Sequence, residues 1–395
     1  MKYNGIIISD IHFGAVNSEQ IKHELNNIFL DYLNGMKKID FIVITGDYFD
    51  HKLYVNDKTS ELALSFMDKL VEISRDNGCP IRIIYGTESH EVNQYNLFSI
   101  YENDKHIDFK VIYTVQEEEL LQNMNVLYLP EEFVFDKKEY YDKYFKNENT
   151  YDYIFGHGII QEVMTEACRN MKKSKEKTRK KVPVFTTVEL DKICGGQVFF
   201  GHYHINTNIS DKIFYVGSFS RWKHGESEDK GFYHVTYDTN KKTYDQKFIE
   251  NCLAKKYKTY TYSYDNKIIN SETELVNGLK KLDKIVKNDD CDYAKFVFNI
   301  PENHPNPEFV INILNERYKY NDNIKIQITN GYVEKKRKIN KEKLNNLMIE
   351  YPIIFDKNAK LEDKLVYFIK KRWDKDISID STKKYLYGNE NEIDD

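Results

Sequence analysis

The sequence offers little to staple or anchor it. Its five cysteines, Cys79, Cys168, Cys194, Cys252 and Cys291, are widely spread and never form a C-x-x-C pair, which argues against a disulfide framework or a zinc ribbon. They read as buried or incidental thiols. No stretch approaches the roughly 18 apolar residues of a membrane span, and the start, MKYNGIIISDIHF, lacks a basic region followed by an apolar core and cleavage site. The expectation is a cytoplasmic protein with no membrane partner. No G-x-x-x-x-G-K-S/T phosphate-binding loop is present in the sequence. Neither charge sign is in large excess: 58 Lys and Arg against 63 Asp and Glu give a net −5, so a nucleic-acid partner must be held by local patches or metal ions. Gly (17) and Pro (7) are sparse, while 41% hydrophobic and 14% aromatic residues over 395 positions describe an ordered chain of two or three domains.

The first half alternates short β-branched runs with helical patterns: GIIIS at 5–9, a helix near 18–37, FIVITG at 41–46, a helix near 58–76 and IRIIYG at 81–86. Buried-looking runs follow at VLYL, YIFG, QVFFG, KIFYVGS and GFYHVTY, and this order implies a layered α/β domain over residues 1–250. From 255 to 333, strand, helix, strand, helix and strand make a small α+β domain. Residues 336–385 read as helices, with Leu361, Leu365, Phe368 and Ile369 on one stripe, and 386–395 as an acidic tail. Two runs are basic: 169–181 holds eight positive residues against one acid, and 335–343 six against one. Such runs suit a solvated face or a phosphate path.

Asp10 and His12 follow one apolar run, Asp47 another, His157 follows YIFG, and His202 and His204 follow QVFFG. In an open α/β sheet the carboxyl ends of strands line the ligand crevice, so these side chains converge. A carboxylate and imidazole set without thiolate suits manganese, iron or zinc better than calcium. Two such ions form a common device for phosphoester hydrolysis.

The segments SDIHFG, TGDYFD, Gly86 to Glu91, FGHG and FGHYH resemble the successive motifs of the calcineurin-like metallophosphoesterase superfamily: D-x-H, G-D-x-x-D, G-N-H-D/E, H and G-H-x-H. The resemblance implies a sandwich of central β-sheets flanked by helices. It gives Asp10, His12 and His204 to a first metal, Asp47 to a bridge, and His157 and His202 to a second metal, with Asp50 behind them. The third motif departs, reading Gly86-Thr87-Glu88-Ser89-His90-Glu91. With His90-Glu91 as anchor, Ser89 replaces the Asn ligand, with Thr87, Glu88 or Asn93 as other recruits. His90 then matches the catalytic histidine that assists the leaving oxygen.

Further on, Gly217-Ser218 with Arg221, then Gly225-Glu226 and Lys230-Gly231, resemble the G-S-x-x-R…G-E…K-G segment of SbcD-type nucleases of recombination and double-strand-break repair. This implies a manganese-dependent exonuclease and single-strand endonuclease acting on DNA, with 255–333 as a capping domain and 336–385 docking on a coiled-coil ABC ATPase of the SbcC type. Relatives dimerise through their first helices, so a homodimer stays open. Arg221 and His51 are candidate substrate contacts. Two competitors remain: a same-fold phosphodiesterase or phosphatase for nucleotides or phosphoproteins, and a phosphoesterase-fold scaffold disabled by the irregular 86–91 loop.

Overall fold

The computed structural model describes residues 1–54, 56–163, 181–263, 272–289, 291–299, 307–319, 321–329, 351–356 and 359–382. The basic runs at 169–180 and 335–343 and the tail at 386–395 lie outside the described residues.

The chain divides into two compact units, one of Met1–Lys258 and Asp290–Tyr293, the other of Thr259–Asp289 and Ala294–Asp395. In the first, six strands form a sheet in the order Thr243–Glu250, Gly231–Asp238, Lys2–Ile8, Phe41–Ile44, Ile81–Ile84, Phe109–Ile112. A second sheet runs Thr207–Asn208, Ile213–Tyr215, Cys194–Gly201, Tyr151–His157, Met124–Leu129, Gln116–Leu121. The central strands of both are parallel.

Side-chain alternation turns these strands into layers. Ile7, Phe41, Val43 and Ile84 from the first sheet share one core with Tyr128, Tyr153, Phe155 and Phe199 from the second. Their neighbours Ile6, Ile8, Ile42 and Ile44 face the other way and bury Phe29, Phe66, Met67 and Leu70. Those last residues come from the helical stretch Ser18–Gly35 and the helix Lys58–Asn77, the latter capped by Asp57 and ended by Gly78. On the outer face of the second sheet, Ile154, Val198 and Phe200 pack with Leu190 and Ile193 of the helix Thr187–Ile193. Period-two burial on both faces is what apolar strand runs require when helices cover the outside.

The second unit has a core of its own, Leu279, Phe296, Phe298, Val310, Leu314 and Tyr318. It sets the helices Glu272–Asn288 and Pro307–Tyr318 against strands Tyr293–Asn299 and Ile324–Thr329, which pair in parallel. In helix Leu361–Trp373, Leu361 is exposed, and Leu365, Phe368 and Ile369 are half-buried, as are Val366 and Tyr367. Among the described residues no helix is long and apolar enough to cross a membrane.

Candidate metal centre

Both sheets deliver their donors from the carboxyl ends of parallel strands. Asp10 lies just past Lys2–Ile8 and Asp47 just past Phe41–Ile44, two strands in register at Ile8 and Ile44. His157 closes Tyr151–His157 opposite Gly201, and His202 and His204 follow at once. The chain turns hard at these points: Asp10, His12, Asp47 and His202 all have positive φ, at 47°, 49°, 47° and 100°. Such backbone costs of order 1–3 kcal/mol per residue and clusters where function demands it. Glycine makes the close approach feasible, because a Cβ on Gly86 would run into the main chain and carboxyl of Asp47.

The donors form two adjoining groups that share Asp47. Its Oδ2 lies 3.5 Å from His12 Nε2 and 3.3 Å from His157 Nε2, while Oδ1 accepts the Thr87 N–H at 2.7 Å. On one side, Asp10 Oδ1 is 3.9 Å from both His12 Nε2 and His204 Nε2, and accepts the His202 N–H at 3.1 Å. On the other, His202 Nδ1 is 3.1 Å from Glu131 Oε2.

The outer nitrogen of three histidines is fixed by an acceptor: His157 Nδ1 by the Thr45 carbonyl at 2.8 Å, His12 Nδ1 by Asp50 at 3.2 Å, and His204 Nδ1 by Glu226 at 3.3 Å. Each Nδ1 therefore carries the proton and each Nε2 turns inward. This is the carboxylate–histidine arrangement found behind metal ions. His12 Nε2 is buried and, among the described residues, has no hydrogen-bond partner. The donors fit two divalent ions.

The electrostatics agree. Burial disfavours charge on His12 and His157, but the surrounding carboxylates prevail and hold their pKa values up at about 9 and about 10. Burial likewise pushes Asp10 and Asp47 up, yet the imidazoles hold both below the ordinary carboxylate range. His204 moves down, mainly through burial. The cavity is thus an acidic field that protons answer when no metal is bound.

The structure brings Asp10, His12, Asp47, His157, His202 and His204 together. His90 stands beside them, its ring 4.8 Å from that of His12 in edge contact; its Nδ1 donates to the Asp50 carbonyl, leaving Nε2 as the nitrogen free to exchange a proton. Ser89 is not brought in: it is exposed, as are Glu88 and Asn93, and among the described residues no contact ties Ser89 to the cluster. The turn Glu88–Glu91 lifts it away, and the residue directly after Gly86 takes the inward place. Thr87 Oγ1 lies 3.4 Å from each of Glu131 Oε2, His157 Nε2 and His202 Nδ1. His51 is exposed and bonded to Asp50 at 2.9 Å. Arg221, 8% exposed, spends its guanidinium on the Ala254 and Glu228 carbonyls. It braces the loop instead of facing a phosphate.

Sequence reasoning held Thr87 only as one of several replacements for the amide, and it missed Glu131 and Trp222, whose indole lies 4.4 and 4.3 Å from the His12 and His204 rings. Glu131 carried a usable signal, an acid just past the buried run VLYL at the end of Met124–Leu129. Trp222 carried none.

Interleaved Asp and His donors on the rim of a double-sheet α/β sandwich define a metal-dependent hydrolase. The chain belongs to the calcineurin-like phosphoesterase family, whose model matches residues 6–208. Metal-dependent phosphoester hydrolysis is the activity of that class. No curated protein matches the chain. A solved crystal structure is similar over 63% of this chain and 100% of its own, at 9% identity and a TM-score of 0.27, values too low to bear on the fold or function.

Proposed function

We propose that this phosphoesterase is a DNA nuclease of the SbcD type, cutting DNA ends and single strands with two divalent ions, most readily manganese, and working with a coiled-coil ABC ATPase. The observation that carries the reading is the wiring of the nuclease-like segment to a site histidine. Lys230 Nζ donates to the His204 carbonyl at 2.6 Å and to Ser218 Oγ at 2.9 Å. Glu226 holds His204 Nδ1 with one oxygen and the Trp222 N–H, at 3.0 Å, with the other. Ser218, Glu226 and Lys230 are thus a buried frame that aims His204, which gives that motif a physical purpose.

A cleft of about 1130 Å³ opens beside Glu131, with Tyr85, Tyr113, Phe133, Phe135 and Tyr140 on its walls. Aromatic faces of this kind stack unpaired bases, and the acids Glu88, Glu132, Asp136 and Glu139 line the same cleft.

Bound ions would polarise the phosphate and supply a hydroxide nucleophile near neutral pH. The chain's own groups do the rest: Asp47 couples the two positions, the Nδ1 partners fix the imidazole faces, and His90 Nε2 is placed to give a proton to the departing oxygen. The test is cleavage of end-labelled DNA by the purified protein with Mn²⁺, beside a generic aryl phosphodiester. Asp47→Ala is expected to lower both by at least about three orders of magnitude, since it strips both ions of a ligand. Hydrolysis of the aryl ester with no cutting of DNA would overturn the nuclease reading and leave the phosphoesterase standing.

A further inference from the structure

We infer that Glu131 is a direct ligand of the second metal ion, acting with the Thr87 hydroxyl, at the place where the family motif supplies an amide. The inference rests on the two-ion reading of the site and adds to it a ligand from a different strand.

The first argument is electrostatic. The Glu131 side chain is 4% exposed, and its main chain is pinned by an N–H donated to the Tyr85 carbonyl at 3.2 Å. Among the described residues no lysine or arginine pairs with it; its carboxylate faces His202 Nδ1 and the Thr87 hydroxyl. A buried carboxylate is costly unless a cation compensates it. Among the described residues the groups that face it are the His202 and His157 imidazoles and the Thr87 hydroxyl, and an ion shared with them would compensate its charge.

The second argument is geometric. Ligands about 2.1 Å from a metal are separated by about 3.4 Å in a tetrahedron and about 3.0 Å across an octahedral edge. The separations here are 3.1 Å for Glu131 Oε2 to His202 Nδ1, 3.4 Å from Thr87 Oγ1 to each of Glu131, His157 and His202, and 3.3 Å for His157 Nε2 to Asp47 Oδ2. Glu131, His157 and His202 therefore form a compact ligand group with the Thr87 hydroxyl beside it, and Asp47 adjoins that group through His157.

The third argument is chemical. A threonine hydroxyl is a weak, neutral ligand, and trading an amide for it loosens the hold on the second ion. A carboxylate restores the lost hold and adds a negative charge, which favours a hard ion such as manganese over softer competitors. The change in the Gly86–Glu91 motif and the acid at the end of Met124–Leu129 are then one compensated exchange.

The test is a Mn²⁺ titration of the full chain, following heat and bound metal, with the spin-coupled manganese signal as a second readout. Wild type should bind two ions. Glu131→Gln keeps the shape and most hydrogen bonding, so it should leave the first constant and the metal-free melting point unchanged. The second constant should weaken at least about tenfold, the lower end of what even outer partners of metal ligands cost, and the spin-coupled signal should vanish. Adding Thr87→Asn to that variant should restore the second ion, which a merely structural role for Glu131 does not predict. Two ions of unchanged affinity in Glu131→Gln would overturn the inference alone. Fewer than two ions in wild type would overturn it together with the two-ion reading. Two ions but no DNA cleavage would sink the nuclease proposal and leave Glu131 in place. Should Glu131→Gln melt early without metal, Glu131→Asp, which keeps the charge but retracts it, decides by the same second constant.

Discussion

At the scale of single residues, the site is a set of strained turns whose charges balance only when a cation is present. His12 and His157 are held at pKa values of about 9 and about 10, so both are protonated in metal-free protein at neutral pH, and an ion must displace those protons. Metal affinity is therefore expected to rise with pH up to about 9 to 10, with about two protons released per chain near pH 7. Titration calorimetry in buffers of different ionisation heat measures that number. The sign for stability is the reverse. A raised histidine pKa contributes stability that is complete below about 6.5 and is lost as pH rises through about 9 and 10. The metal-free melting point should fall over that interval, and the manganese-loaded one should not. The six Asp and His positions were legible because each follows an apolar run that ends at the rim. Ser89 was read as the replacement ligand because motif spacing was counted back from His90, whereas the backbone keeps Thr87 against Asp47 and absorbs the extra residues in the Glu88–Glu91 turn. Spacing within a loop does not show which residue points inward.

At the scale of elements, runs of Ile, Val and Phe announced the central strands, but the edge strand Gln116–Leu121 was illegible. Its sequence, QEEELL, has the acid content of a surface helix, and its strand state is imposed by partners. Glu117 accepts from the Tyr151 hydroxyl at 2.9 Å. Glu118 reaches across to the other sheet, where Arg82, 1% exposed, clamps it with Nε at 2.8 Å and Nη2 at 2.7 Å while also meeting Asp108. Burial pushes Glu118 up, but Arg82 and Lys110 outweigh it and hold its pKa at about 2. A depressed carboxylate stabilises above its ordinary value and loses that contribution as pH falls from about 4.5 through about 2. Glu118→Gln should therefore flatten acid unfolding in that window. Arg82→Met should cost about 3 kcal/mol in urea unfolding at pH 7, the low end for breaking a buried pair, because Glu118 keeps some solvent. The loop Ser218–Gly231 makes the matching functional prediction. Lys230→Met removes the donor under His204 and should weaken the first manganese constant about 10–100-fold while leaving the second near wild type, resolved by the same titration that separates the two ions.

At the scale of the molecule, the net −5 that began as weak evidence against nucleic acid is a sum over unlike regions, and the acids at the metal centre are part of it. Two bound divalent ions would reverse the field at the one place where a phosphate must arrive. The chain forms two compact units, and each buries a core of its own. The whole metal cluster belongs to the first unit, which has three extensive apolar layers, whereas among the described residues the second shows one small core of six buried residues. Smaller cores give lower stability, and a ligand stabilises only the unit that binds it. Calorimetry is therefore expected to show two transitions, the lower from the second unit. Manganese at about a hundred times its dissociation constant contributes about 2.7 kcal/mol, which for a unit of this size moves the upper transition by about 5–10 °C and leaves the lower one in place. In Asp47→Ala the upper transition should stop responding to manganese as well. A single transition that manganese shifts as a whole would mean that the two cores melt as one, and that the metal centre stabilises the α+β unit too.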